Sequence, residues 1–142
     1  MDIVISLLIW IHLMALAAGG TAAFGMPVVG RRMASASPEA RATLQGVMKG
    51  ISTVSRAALG TLLVTGPLIV WLKYGGFGRL DVWFWIKMVL VAGLLVSVIA
   101  SGVMMKRAAA GDASAAALGP RLGMLNTLLL FGIVLAAVFA FP

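Results

Sequence analysis

The stretch Trp10-Ile11-His12-Leu13-Met14-Ala15-Leu16-Ala17-Ala18-Gly19-Gly20 decides how this chain is read. It lies inside a run from Ile3 to Val29 that contains no charged residue. About twenty apolar residues suffice for a helix to cross a bilayer core, so the run reads as a membrane span. His12 is the only histidine in the chain. A polar ring within a span is costly unless it has a partner or a task. Gly19 and Ala23 follow His12 at seven and eleven residues, which places all three on one helical face. That face presents an imidazole with bare backbone beside it, onto which a flat group or a close neighbour can pack.

The rest of the chain repeats the pattern. Its 142 residues are 62% hydrophobic, with a mean hydropathy of +1.11. A soluble domain sits nearer half apolar. The apolar residues fall into four long runs with few charges, giving spans of about 3–29, 51–72, 82–105 and 122–141. The expected fold is an all-α integral membrane protein, one domain over 1–142, built as a bundle of four transmembrane helices. Pro27 and Gly30 are expected to end helix one. Ser37-Pro38-Glu39 has the order of a helix start, so helix two begins as a polar extension near Pro38. Gly66-Pro67 is expected to kink it. Ala108 to Pro120 reads as a small, alanine-rich linker, with helix four starting at Arg121 or Leu122 and ending at Phe141.

The basic residues set an expected topology. Arg31, Arg32, Arg41, Lys49 and Arg56 lie around the first loop, and Lys106, Arg107 and Arg121 around the third. The second loop holds only Lys73 and Arg79, with Asp81 opposing. Loops one and three are therefore expected in the cytoplasm, with both termini on the outer, periplasmic side of a bacterial inner (plasma) membrane. Trp10, Trp71, Tyr74, Trp83 and Trp85 gather towards that outer boundary. The net charge of +7 is thus topogenic, and nucleic acid is not an expected partner. The absence of cysteine excludes disulfides and thiolate sites. The first residues lack the positive region of a cleaved signal. Small residues recur at four-residue steps: Ala57, Thr61 and Thr65; Gly93, Ser97 and Ser101; Gly132, Ala136 and Ala140. Such seams let transmembrane helices approach closely.

Two ionisable residues are expected within the outer half of the membrane. His12 is nine residues in from Ile3, about 13 Å of helix rise, and Lys87 is six beyond Asp81, about 9 Å. With the expected topology they share a depth in the outer half of the membrane and face each other. Neutral imidazole is a good axial ligand to haem iron, and a lysine at that depth could pair with a propionate. Met14, Met26 and Met88 offer thioethers as a second ligand, although methionine is commonly a core filler. Blander roles stand beside these. His12 could hydrogen-bond a Ser or Thr on a neighbouring helix, and Lys87 could snorkel to the outer headgroups. Arg121 suits an inner-interface anchor, and Asn126 and Thr127 suit a bridge between helices. With one His, no Cys and no carboxylate deep in a span, a hydrolytic metal site is disfavoured, and a bis-His haem would need a second subunit.

The order of these features resembles the four-helix membrane family of HemJ-type protoporphyrinogen IX oxidases and CopD-like copper-resistance proteins. The resemblance rests on Trp10-Ile-His12-Leu with Gly19-Gly20 and the Pro27/Arg31-Arg32 exit. It continues in Trp83-Phe-Trp-Ile-Lys87-Met-Val-Leu, in the Gly102-Val-Met-Met-Lys106-Arg107 exit, and in Pro120-Arg121-Leu-Gly-Met-Leu-Asn126. It covers nearly the whole chain through short motifs. The chain departs from HemJ proteins at Ala18, where they usually carry a tryptophan near this point. Thr127-Leu128 replaces an acidic residue and a proline, and Gly19-Gly20 looks closer to the CopD-like side.

The resemblance implies haem b held by His12, and the small face of Gly19 and Ala23 read from the helical spacing would let a porphyrin lie against backbone. It gives Lys87 a functional role and implies further contributions from Arg121 and Asn126. The function it implies is oxidation of protoporphyrinogen IX to protoporphyrin IX, a step of porphyrin biosynthesis, with electrons passed to the membrane chain. Two alternatives stand beside it. One is a copper-handling or transport protein in which His12 and the methionines bind Cu(I), since soft thioethers suit that ion. The other is a cofactor-free accessory subunit of a larger membrane complex. The expected partners are the lipid bilayer, a porphyrin or other small-molecule substrate, and a second copy or a larger complex.

Overall fold

A computed structural model of the chain describes residues 2–140, and for Arg79 the backbone alone. It is all-helical, in the order α1 (Ile3–Ala34), α2 (Pro38–Tyr74), a 3-10 turn (Phe77–Arg79), α3 (Val82–Ala109) and α4 (Ala113–Ala140). All four α-helices are long and apolar enough to cross a membrane. Within each, at most 17% of the most apolar window is buried in the protein, and large side chains such as Trp10 (59% exposed) and Phe131 face outwards. Surfaces this apolar are stable only against lipid or another apolar partner, so the chain is a multi-pass membrane protein.

The helix ends follow local chemistry. The Asp2 carboxylate accepts from the Val4 amide at 3.2 Å and caps α1. As expected, Ser37 caps α2, accepting from the Ala40 amide at 3.3 Å, with Pro38 in the first turn. Gly75 ends α2 at φ 71°, a left-handed conformation that glycine adopts without strain.

Two boundaries differ from expectation. Helix one does not end at Pro27 or Gly30 but runs to Ala34. A single proline removes one donor without stopping a helix in this setting, and Arg31 and Arg32 in the last turn favour the negative helix terminus. Residues 108–120 are not a linker. α3 extends to Ala109 and α4 starts at Ala113, leaving one tight turn around Gly111 at φ 95°. Asp112 explains the early start. Its carboxylate accepts from the Ser114 amide at 3.0 Å, the Ala115 amide at 3.1 Å and the Ser114 hydroxyl at 2.6 Å. The alanines beyond it are strong helix formers. α2 likewise passes through Gly66-Pro67 within one helix. The expected end of helix four at Phe141 lies outside the described residues.

The chain divides into two compact units, one up to Arg79 and one from Leu80. The first is the antiparallel hairpin of α1 on α2. Its register is read from glycines. A Cβ built at Gly25 would meet Ile51, one at Gly19 would meet Ala58 Cβ at 3.5 Å, and one at Gly66 would meet His12 Cε1 at 3.6 Å. Ala15, Ala58, Thr65 and Val70 are buried along this seam, so α2 packs through Ala58 rather than the expected Ala57. The second unit is the hairpin of α3 on α4. Trp83 stacks on Phe139 with ring centroids 4.9 Å apart, Gly132 approaches Leu90, and Gly93 approaches Leu129. Phe84, Ser97, Ala115, Ile133 and Ala136 are its buried residues. Small residues thus form the contacts in both hairpins, as close helix packing in lipid requires.

Candidate functional site

His12 projects from α1 into the seam with α2, where Nδ1 lies 2.7 Å from Thr65 Oγ1. Thr65 is only 5% exposed, and its hydroxyl donates to the Thr61 carbonyl one turn back at 2.8 Å. A hydroxyl carries a single proton. With that proton directed at Thr61, Thr65 Oγ1 acts as the acceptor, and His12 Nδ1 is the donor. The network thereby assigns the neutral ring its Nδ1–H tautomer. The lone pair then resides on Nε2, which becomes the acceptor or metal-ligand atom of the ring.

The rest of the predicted His12 face is placed as follows. Gly66 of α2 brings bare backbone to the His12 ring edge. Gly19 brings bare backbone to Ala58, so α2 is the neighbour packed on this part of the face. Ala23 is half-buried one turn beyond. To one side of the seam lies an open groove of about 400 Å³. Trp10, Met14 and Ala18 of α1 line it with Ala57, Ala58 and Thr61 of α2. Its floor is made of alanines, flat and almost wholly apolar.

Neither Met14 nor Met26 is brought to His12 within this hairpin. Met14 lies two positions on, about 200° round the continuous α1, and lines the groove instead. Met26 shares the face of His12 but sits about 21 Å along the axis. Among the described residues no group of three or more His, Cys, Asp or Glu gathers anywhere. At this point the seam presents an imidazole oriented by a hydroxyl, and an imidazole so held could bind a metal carried in its own macrocycle.

The remaining candidates belong to the second unit. Lys87 is half-buried on α3, one turn after the buried Phe84 and one before Leu90, which packs on Gly132. It therefore lies on the face of α3 turned to α4. Met88 follows, also half-buried. Arg121 is exposed on α4. Asn126 is half-buried, and its Nδ2 donates to Ser101 Oγ on α3 at 3.2 Å, forming the helix bridge that its position suggests. Thr65 and Ser101 enter the sequence reading only as seam residues. The signal that would have paired them with His12 and Asn126 is the antiparallel register, in which partner numbers fall as residue numbers rise.

Comparison with protein-family models, curated proteins and solved structures returned no significant match.

Proposed function

We propose that this chain is a haem b-binding protein of a bacterial inner membrane, in which His12 would hold the haem through Nε2. In this reading the four spans form one bundle with both termini on the periplasmic side. Its activity is HemJ-like oxidation of protoporphyrinogen IX to protoporphyrin IX, with electrons passed to the membrane chain. The observation that carries the proposal is the His12–Thr65 bond. Histidines that ligate metals almost always donate their other ring N–H to a fixed acceptor, which holds the ring in its ligating tautomer. Thr65, locked by Thr61, is such an acceptor.

When bound, haem would supply one-electron redox chemistry. The chain's own contributions are positional. Thr65 and the Gly66 backbone hold the imidazole plane. The alanine-floored groove gives a flat apolar molecule lateral access from lipid. Lys87 supplies a cation for a substrate or propionate carboxylate, or relays protons. Arg121 and Asn126 serve α4, the first at the interface and the second as the bridge to Ser101.

The test is the absorption spectrum of detergent-purified protein, oxidised and dithionite-reduced, with a pyridine haemochrome assay, on wild type and His12→Ala. A b-type spectrum that disappears in the variant supports the proposal. Full Soret absorbance in His12→Ala overturns it. A histidine that merely ties α1 to α2 would make the same bond to Thr65, and wild-type protein without haem after expression with ample haem supply would favour that role. Copper handling is the alternative activity, and a colourless protein that binds Cu(I) through His12 would select it.

A further inference from the structure

The α3–α4 seam holds a second polar cluster, of which the haem reading uses only the Asn126–Ser101 bridge. Ser101 donates its hydroxyl proton to the Ser97 carbonyl at 2.8 Å. Its oxygen can then only accept, so Asn126 must turn Nδ2 towards it, as the 3.2 Å contact shows. This orientation aims Asn126 Oδ1 elsewhere. Oδ1 is buried and has no hydrogen-bond partner among the described residues. Ser97 Oγ, on a residue only 5% exposed, is in the same position. One atom is an obligate acceptor and the other carries a proton to donate. Both sit next to Ser101, Ser97 one helical turn away and Asn126 one hydrogen bond away.

We propose that this cluster is a binding site for one buried water molecule. The water accepts from Ser97 Oγ–H and donates to Asn126 Oδ1. Two hydrogen bonds of about 2.8 Å that meet at a tetrahedral water reach roughly 4.5–5 Å between outer heavy atoms. Lipid cannot satisfy either group at this depth, and buried waters are found where two to four protein polar atoms converge. Rotation of the Ser97 hydroxyl to the carbonyl one turn back would satisfy Ser97 but leave Asn126 Oδ1 unpaired. A bridging water satisfies both atoms. It completes a chain from Ser97 through water, Asn126 and Ser101 back to the Ser97 carbonyl, which joins α3 to α4 by polar contacts inside an apolar hairpin.

Asn126 is the only asparagine, so selective 15N-asparagine labelling gives one side-chain amide signal. The experiment measures cross-relaxation between water protons and the Asn126 Nδ2 protons in the full-length protein in micelles, separated by sign from chemical exchange. A cross-relaxation peak from a long-lived water is expected in the wild type. It should fall at least about twofold in Ser97→Ala, where the water loses one of its two partners. Absence of the peak in the wild type overturns the proposal. A peak unchanged in Ser97→Ala overturns the bridge as well, because that water would not be held by Ser97.

Discussion

His12 and Thr65 are joined by a 2.7 Å hydrogen bond between α1 and α2, across 53 residues of sequence. Its direction follows from a second bond, Thr65 to the Thr61 carbonyl, and the two together decide which ring nitrogen carries the proton. That is a measurable property. In 15N-histidine-labelled protein the single ring should show a protonated Nδ1 and an unprotonated Nε2, the minor tautomer of imidazole in water. Thr65→Val removes the acceptor and should release the ring to the Nε2–H form, whereas Thr65→Ser should keep Nδ1–H. The valine variant should also lose about 1 kcal/mol of hairpin stability, the scale of a hydrogen bond between membrane helices. A protonated Nε2 in the wild type would contradict the assignment.

Gly19 faces Ala58 across the α1–α2 seam. A Cβ there would stand 3.5 Å from Ala58 Cβ, an ordinary contact. Gly19→Ala should therefore be nearly neutral, within about 0.5 kcal/mol. Gly19→Leu must part the helices or shift their register, at roughly 1–3 kcal/mol. Thermal unfolding in detergent measures both. The leucine variant should also disturb the His12 15N signal, because the His12–Thr65 bond lies two turns along the same seam.

Asn126 and Ser101 should be energetically coupled. Asn126→Leu and Ser101→Ala each break the α3–α4 bridge, so the double variant should lose less than the two singles added together. The coupling should be about 0.6 kcal/mol and no more than about 1.7 kcal/mol, as for other hydrogen bonds between membrane helices. Strict additivity would show that the bridge contributes nothing.

The first turn of α4 should respond to acid. The Ser114 hydroxyl, followed by the Ala115 amide, holds the Asp112 carboxyl below its ordinary value of 3.8. A lowered folded value means that the charged carboxylate is the form that stabilises the turn. Its contribution is complete above the ordinary carboxylate range and is lost as pH falls through the lowered value. Hydrogen exchange at the Ser114 and Ala115 amides should report this, with protection at neutral pH that fades in strong acid. Asp112→Asn keeps a capping oxygen and should flatten the pH dependence. Equal acid sensitivity in that variant would assign the effect to another group.

Much of the architecture is legible in the chain because a membrane imposes one-dimensional rules. A span must be long, apolar and helical, since hydrocarbon offers no partner to an exposed backbone. Ile3–Val29 meets that requirement on inspection, as do the three later runs. Ser37-Pro38 is equally local, and its cap forms where the residue order places it. The Ala108–Pro120 segment is the counterexample. Read as small and irregular, it is helix on both sides of Gly111, because Asp112 satisfies the first amides of α4 and alanine propagates the turn.

The site divides along the same line. From the residue order alone, one imidazole lies inside the first span, on a face shared with Gly19 and Ala23, and a buried ring there needs a polar partner. The packed hairpin supplies that partner, Thr65, and brings the Gly66 backbone to the ring edge. Those facts depend on the register of α1 against α2. Van der Waals contacts such as Gly19 on Ala58 and Gly25 on Ile51 set that register. A one-residue slip would turn each side chain by about 100° and offer His12 a different neighbour, and no local pattern in either helix records which register the packing selects.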